Sequence, residues 1–358
     1  MGCQRQAART IAAMKLACLL PMRLLVRHVH LLARCVLLPA LVALGAWPAA
    51  WAAGKGAAAS ADCPPAAQSL LTPRALEQAR KQPRDRGYLW RLERDGHSSW
   101  LYGTLHLGRA NWVVPGPLVS KALRASDTMA LELDPLDAEA MQPLFSPADP
   151  ARLAQVMSPE RQQRLAQQWQ AACAKDAAGL FAQLQPLLQA SVLSGHSAQR
   201  DGLYTDFAID VVLAGYARHA GLPLVALETA QSQLALFTGD TAEEEAQQID
   251  AALQELESGR LRQRMGELAA MWARSDWPRL QAYEQWCECM KTPAERAFMH
   301  KLLDERNPVL ADGIEALHAD GQRVFAAVGA LHMVGPAGLP TLLEQRGFTL
   351  TQVLPPPR

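Results

Sequence analysis

The chain lacks an excess of charge of either sign, with 35 Lys and Arg residues against 35 Asp and Glu residues. Charged residues make up only 20% of the sequence and hydrophobic residues 49%. This balance excludes the compositions typical of disordered proteins and of coiled coils. A chain of 358 residues with this hydrophobic content is long enough to bury a substantial core, and we expect a folded globular protein.

Acidic residues are absent from the first 52 positions, which carry six Lys and Arg residues. An apolar run begins at Cys35 and ends in Ala50-Trp51-Ala52. A basic region, an apolar region and a small-x-small site are together typical of a secretory signal, so residues 1–52 are predicted to be a signal peptide, with Met22 as a candidate start. The run also has about the 20 residues that span a bilayer, and an uncleaved anchor is the alternative.

Removal of residues 1–52 takes away six basic and no acidic residues, which leaves 29 basic against 35 acidic residues and a net charge of −6. This charge argues against nucleic acid as a partner. We therefore expect a periplasmic or secreted protein that acts on a peptide or small molecule. Contact with a membrane is expected only through the N-terminal segment, if that segment stays uncleaved.

Cysteine is also scarce, since four of the seven cysteines remain after cleavage: Cys63, Cys173, Cys287 and Cys289. An even number in an exported protein is compatible with two disulfides, although the sequence does not give the pairing. The short spacing of Cys287 and Cys289 disfavours a bond between these two. A redox or soft-metal site is possible there, but structural cysteines bonded elsewhere are the preferred interpretation.

Two segments near opposite ends of the chain share one pattern. In each, an apolar strand-like run ends at a glycine, Gly103 or Gly329, and a histidine, His106 or His332, follows three residues later. We interpret each glycine as the point where the backbone turns out of a sheet. A helical pattern and a second apolar run follow both histidines. One Gly-x-x-His is a weak signal, but two copies in equivalent contexts are much stronger, because core packing gives no reason for a histidine to recur there.

The remaining patterns predict an α/β protein with a mixed central sheet, flanking helices and a large helical insertion. Residues 53–86 are expected to form a flexible leader with a short helix, and residues 87–355 a single domain. A strand from Tyr88, a turn at Asp95-Gly96 and a returning strand predict a hairpin. Further strands are predicted at 128–133, 224–229, 324–329 and 348–354, and long helical stretches at 150–194 and from 229 nearly to 320.

Carboxylates lie near the ends of two predicted strands, Glu132 in the strand at 128–133 and Glu228 in the strand at 224–229. Functional groups gather at the carboxyl ends of strands in α/β proteins. Two imidazoles with one or two carboxylates suit a divalent first-row metal, although spacing does not tell which residues touch it. Weaker candidates for the pocket are Tyr204, Asp206, Asp210 and Gln233, while His196, His219, His300 and His318 are interpreted as surface or helix-end histidines.

These residues resemble those of the TraB/GumN-like proteins, which include the Tiki proteases that cleave the amino terminus of Wnt proteins. The erythromycin-esterase and ChaN-like proteins are more distantly similar. The resemblance extends from Tyr88 to Leu354. It is carried by the segments Trp100–His106, Leu131–Asp134, Leu227–Thr229 with Gln233, Glu305–Asn307 and Gly329–His332.

The resemblance implies a metal-dependent hydrolase, with peptidase activity as the expectation and Mn²⁺, or else Co²⁺ or Zn²⁺, as the cofactor. It implies His106, His332 and Glu132 as metal ligands, with Glu132, Glu228 and Arg306 as catalytic residues. Substrate binding is assigned to Gly103, Thr104, Gly329, Gln233 and Asn307. Two alternatives stay open: a metal-free hydrolase in which a histidine activates water, and a binding protein that sequesters a peptide or haem without turnover.

Overall fold

A mixed six-stranded sheet forms the centre of the computed structural model, which describes residues 63–355. The strands lie in the order β4-β3-β5-β2-β1-β6. Their bounds are β1 Tyr88–Arg94, β2 His97–Thr104, β3 Thr128–Leu131, β4 Leu224–Ala226, β5 Val324–Gly329 and β6 Thr349–Leu354. The predicted signal peptide or anchor at 1–52, and the leader up to residue 62, lie outside the described residues.

Strands β2, β3, β4 and β5 are parallel neighbours, while β1 is antiparallel to both β2 and β6. The strand–helix–strand repeat predicted around the two Gly-x-x-His segments is present, but its two copies cross the sheet in opposite directions. The first connects β2 to β3 across β5, and the second connects β5 to β6 across β2 and β1. Both copies start from adjacent parallel strands, so the segments that follow them leave the sheet at the same edge.

Helices flank this sheet and build a large insertion between β3 and β5. Residues 63–355 contain no helix that combines the length and hydrophobicity needed to cross a bilayer. The α-helices, in chain order, are α1 Ala67–Leu70, α2 Pro73–Lys81, α3 Pro117–Arg124, α4 Ala138–Met141, α5 Pro150–Val156, α6 Pro159–Ala171, α7 Lys175–Phe181, α8 Pro186–Ala198, α9 Ile209–Ala220, α10 Ala230–Leu234, α11 Ala242–Glu257, α12 Arg260–Arg274, α13 Trp277–Gln281, α14 Tyr283–Trp286, α15 Pro293–Met299, α16 Asn307–Ala319 and α17 Leu339–Gln345.

The predicted hairpin is present, with β1 and β2 joined through Asp95 and Gly96. Both residues have positive φ, 52° and 81°, which is the backbone conformation that matches the twist of two antiparallel strands. Strands β3 and β4 are shorter than predicted, so Glu132 and Glu228 lie just beyond the sheet rather than within its strands. Short helices interrupted by prolines replace the continuous helical stretch predicted at 150–194.

The main core lies on the sheet and contains fully buried residues of four strands, including Leu92, Leu101, Met129 and Phe325. A second hydrophobic cluster holds the helical insertion together around Trp169. His318, predicted to be a surface or helix-end histidine, lies in the last turn of α16 and is fully buried against the hairpin. Its Nδ1 lies 2.8 Å from Ser99 Oγ and its Nε2 3.0 Å from the carbonyl oxygen of Arg94, so the neutral ring has its Nε2–H donating and its Nδ1 accepting. The spacing of residues along the chain does not indicate that His318 packs against the hairpin.

The cysteines form two disulfides, Cys63–Cys173 and Cys287–Cys289. The first ties the last residues of the predicted flexible leader to the helical insertion, so these residues are anchored rather than free. The second contradicts the expectation that Cys287 and Cys289 bond elsewhere. The reason is local: Glu288 has a φ of 54°, and this left-handed residue brings the two Cα atoms within 5.1 Å.

Candidate functional site

The two Gly-x-x-His segments and Glu132 meet at the carboxyl edge of the parallel strands. His106 lies two residues beyond β2, Glu132 directly follows β3, and His332 lies in the short 3₁₀ turn after β5. Gly329 marks the point where they converge. A methyl group on this glycine would lie 3.2 Å from Glu132 Oε1, 3.5 Å from His332 Cδ2 and 4.0 Å from His106 Nε2. The fold thus brings together side chains more than two hundred positions apart.

The two motif glycines have different structural roles. Gly329 ends β5 as predicted, but Gly103 lies within β2, which continues through Thr104. A side chain on Gly103 would meet Tyr88 Cδ2 at 3.2 Å and the Cα of Ala330 at 3.4 Å. Gly103 therefore allows a close approach between the hairpin and the second motif, and the prediction that the backbone turns there is wrong.

His332 is buried and held in one tautomer by Asn307. The amide nitrogen of Asn307 donates to the carbonyl oxygen of Ala337 at 2.8 Å, which leaves Oδ1 to face His332 Nδ1 at 2.6 Å. Nδ1 must therefore carry the proton, and Nε2 accepts a hydrogen bond from Arg306 Nη1 at 3.2 Å. Burial lowers the pKa of His332 to about 4, so the ring is neutral near neutral pH.

His106 is exposed and lies beside a carboxylate. Its Nδ1 is 3.1 Å from Asp210 Oδ2, in the first turn of α9. The chain segment around His106 is fixed on both sides, because Ile209 N donates to Leu105 O and Gly108 pairs with Tyr204 through two backbone hydrogen bonds. The negative charge of Asp210 raises the pKa of His106 above its ordinary value. The two histidines of the repeated motif thus have opposite electrostatic surroundings.

Arg306 occupies the centre of the site and is shared by two buried carboxylates. Its Nη2 donates to Glu132 Oε2 at 2.6 Å and to Glu228 Oε2 at 2.5 Å, and its Nε donates to Glu228 Oε1 at 2.8 Å. Gln233 Nε2 donates to Glu228 Oε2 at 3.0 Å. Both oxygens of Glu228 are therefore engaged. This carboxylate holds the guanidinium in place.

Glu132 is buried and remains ionised. Burial alone would raise the pKa of its carboxyl group, but the positive charges of neighbouring groups and the N–H of Gly329, which donates to Oε1 at 2.7 Å, lower it to about 2. In the acid range where Glu132 titrates, His332 is protonated as well, so its charge lowers the pKa of Glu132 together with those of His106 and Arg306 and with the backbone N–H. Glu132 thus supplies a permanent negative charge next to Gly329.

Comparison with known protein families agrees with this arrangement. The sequence model of the TraB/PrgY/gumN family matches residues 88–352, which include every residue of the site from His106 to His332. The chain belongs to the TraB/PrgY/gumN family. A search of curated proteins and a search of solved structures each gave no match to the chain.

The donor set of this TraB/PrgY/gumN protein has the chemistry that a divalent first-row ion requires. Each imidazole has its Nδ1 bound to an acceptor, Asp210 or Asn307, and this arrangement leaves Nε2 for a metal when the ring is neutral. As the side chains stand, residues 63–355 contain no group of three or more His, Cys, Asp or Glu residues that could hold a metal. Arg306 already uses the Nε2 lone pair of His332. A metal at these residues therefore requires Arg306 to release His332.

The predicted substrate-binding residues of this TraB/PrgY/gumN protein differ in exposure. Gly103, Thr104 and Asn307 are buried, and Asn307 contacts His332, so their role in substrate binding stays a prediction. Gly329 and Gln233 do lie at the site. Asp210 was only a weak candidate in the sequence, because nothing local connects it to His106. Its position in the first turn of a helix after a short polar segment was the available signal.

Proposed function

We propose that this protein is a metal-dependent hydrolase that acts on a peptide or amide. The observation that supports the proposal is the convergence of His106, His332 and Glu132 around Gly329. Nitrogen ligands from two imidazoles and oxygen from a carboxylate suit Mn²⁺, Co²⁺ or Zn²⁺. A bound ion of this kind would supply Lewis acidity for attack on a carbonyl group.

Residues of the chain would bind the ion and stabilise the charge that develops in the reaction. His106 Nε2, His332 Nε2 and Glu132 would hold the ion, while Asn307 keeps the His332 ring in the tautomer that binds it. Arg306, after it releases His332, would keep its positive charge beside the same pocket, where it would stabilise negative charge that develops on a substrate carbonyl oxygen. Glu228, which binds Arg306 through both oxygens, positions that guanidinium.

A second candidate is a metal-free hydrolase, which two specific contacts favour. Asp210 supports His106 in the way that a carboxylate supports a general-base histidine, and Arg306 already places a cation beside His332. In this mechanism His106 Nε2 would take the proton of an attacking water, and Arg306 would stabilise the oxyanion. Because Asp210 raises the pKa of His106, activity would then rise with pH until that imidazole is neutral.

Metal binding by the purified protein tests the first candidate. We expect near-unit stoichiometry for Mn²⁺ or Co²⁺ in a titration, and a loss of affinity of more than about 100-fold in His106→Ala and His332→Ala. His219→Ala is the matched control, because His219 is an exposed histidine at the end of α9. Turnover of peptide, amide or ester substrates that survives a chelator would favour the metal-free candidate. Metal binding without turnover of any of these substrates would contradict both candidates.

We also propose that the protein is exported to the periplasm or secreted. The basic and apolar N-terminal segment supports this, and two disulfides are typical of an oxidising compartment. Mass spectrometry of the protein isolated from an exporting host is expected to give an N-terminus close to Ala53. A retained apolar segment in a membrane fraction would point to the uncleaved anchor, and cytoplasmic protein with reduced cysteines would contradict export.

A further inference from the structure

We propose that Asp210 is a positioning residue that fixes the tautomer and orientation of His106, so that Nε2 faces Glu132 and Gly329. This inference rests on the proposed function only in that His106 acts at the site, either as a metal ligand or as a base. The contact that carries it is the 3.1 Å separation between Asp210 Oδ2 and His106 Nδ1. An acceptor at Nδ1 holds the proton there and leaves Nε2 for the pocket.

Backbone contacts place the two residues together. Ile209 N, one residue before Asp210, donates to Leu105 O, one residue before His106, at 2.9 Å. The bridge between Gly108 and Tyr204 closes the other side of this loop. A side chain on Gly108 would overlap the carbonyl oxygen of Phe207, so the close approach of the two segments requires glycine at this position. These backbone contacts therefore hold Asp210 beside His106.

Among residues 63–355, the carboxylate of Asp210 has His106 as its one side-chain partner. Its Oδ1 atom is buried and has no hydrogen-bond partner among residues 63–355, and no Lys or Arg of that range forms a salt bridge with it. Burial of the unpartnered oxygen costs folding free energy, and the pairing of the other oxygen with His106 is the contact that offsets this cost. A carboxylate that faces one imidazole and no Lys or Arg of that range has the expected features of a positioning residue.

The second motif provides an internal comparison. His332 is buried, and the neutral amide of Asn307 is sufficient to orient it because water does not compete for its Nδ1. The side chain of His106 is 65% exposed, so water does compete. A charged acceptor forms a stronger hydrogen bond than a neutral one and holds an exposed ring more firmly. The difference in exposure accounts for a carboxylate at one histidine and an amide at the other.

The test compares Asp210→Asn and Asp210→Ala with Asp201→Asn, which removes a carboxylate whose partner is Arg262 rather than His106. Co²⁺ titration reports the affinity and, through the absorption spectrum, the ligand set. We expect Asp210→Ala to weaken Co²⁺ binding about 10- to 100-fold, Asp210→Asn to weaken it less, and Asp201→Asn to leave it unchanged.

A metal-independent measurement separates this inference from the proposed function. Long-range ¹H–¹⁵N correlation spectra of histidine-labelled protein, recorded with a chelator and above the pKa of His106, report the tautomer. Wild type is expected to show the proton of His106 on Nδ1, and Asp210→Ala a mixture of both tautomers. If wild type binds no Co²⁺ but shows this tautomer change, the metal proposal fails and the positioning role stands. An unchanged tautomer in Asp210→Ala, or a lower thermal midpoint with unchanged Co²⁺ affinity in Asp210→Asn, would overturn the positioning role.

Discussion

Replacing Arg306 with methionine removes the guanidinium that Glu132 and Glu228 share. The side chains of these three residues are 12%, 8% and 6% exposed, so the two carboxylates would be left buried without their cation. Removal of one partner from a buried ion pair costs about 3–5 kcal/mol. We expect a value near the lower end, about 3 kcal/mol, because Gln233 and Gly329 keep their hydrogen bonds and one carboxyl group takes up a proton.

The pH dependence gives this prediction a second signature. In wild type the pKa of Glu132 is about 2, below the unfolded value of about 4.3, so its stabilising contribution is present above that value and is lost as pH falls toward 2. In Arg306→Met the pKa of Glu132 rises, because the cation is gone. As pH falls, protonation of a buried carboxylate then removes its unpaired charge and reduces the free-energy cost in the variant. The difference in stability between the two proteins is therefore expected to be largest at neutral pH and to narrow toward pH 4.

Urea unfolding in the presence of a chelator measures the effect without metal binding. The matched control is Arg323→Met, because Arg323 forms an equally short contact with Asp127, 2.5 Å, but both side chains are about half exposed. Exposed pairs of this kind contribute little to stability, because water and salt screen them. Equal destabilisation by the two substitutions, or a difference that does not change with pH, would refute the description of Arg306 as the buried partner of both glutamates.

Three further predictions concern the glycine of the second motif, the disulfides and a buried histidine. Gly329→Ala is expected to keep the fold, because Gly329 has a negative φ of −48°, but to weaken Co²⁺ binding at least about tenfold; a normal affinity would contradict the convergence at this residue. Serine substitution of Cys63 and Cys173 is expected to lower the free energy of unfolding in urea by about 4–5 kcal/mol, because this disulfide closes a loop of 110 residues. Serine substitution of Cys287 and Cys289 is expected to lower it by less than about 2 kcal/mol, because that disulfide closes a loop of two. Equal losses of stability would contradict this prediction. Burial lowers the pKa of His318, so the unfolded chain binds a proton below about pH 6.5 that the folded protein does not. The thermal midpoint is therefore expected to fall with pH below that value, and to fall less in His318→Gln; identical pH profiles for both proteins would exclude this contribution.

Much of the fold could be predicted because it depends on local patterns. The hairpin follows from alternation around Asp95-Gly96, and the positive φ values there are the ones such a turn needs. The parallel strands follow from short apolar runs between helical segments. Once the strands are parallel, residues at their carboxyl ends must lie at one edge, which is why His106, Glu132 and His332 could be grouped from the sequence.

Contacts that depend on how distant segments pack against one another, beyond the shared edge of the parallel strands, could not be predicted. No sequence feature near Cys287 indicates that Glu288, the residue between the two bonded cysteines, is left-handed. No periodicity relates His318 to the hairpin that buries it. Gly103 illustrates the same limit, since its partner Ala330 lies on the other motif. These features depend on which surfaces pack together, and packing is not encoded in the spacing of residues along the chain.

The sequence by itself determined the family, the sheet and the residues that reach its carboxyl edge, because apolar periodicity and a repeated Gly-x-x-His are local signals. Only the tertiary structure decided how those residues are used. It placed Asp210 behind one histidine and Asn307 behind the other, and it set Arg306 between two glutamates. The physical reason is that tautomer, charge and hydrogen-bond partner are properties of surroundings, and surroundings come from segments that meet only when the chain folds.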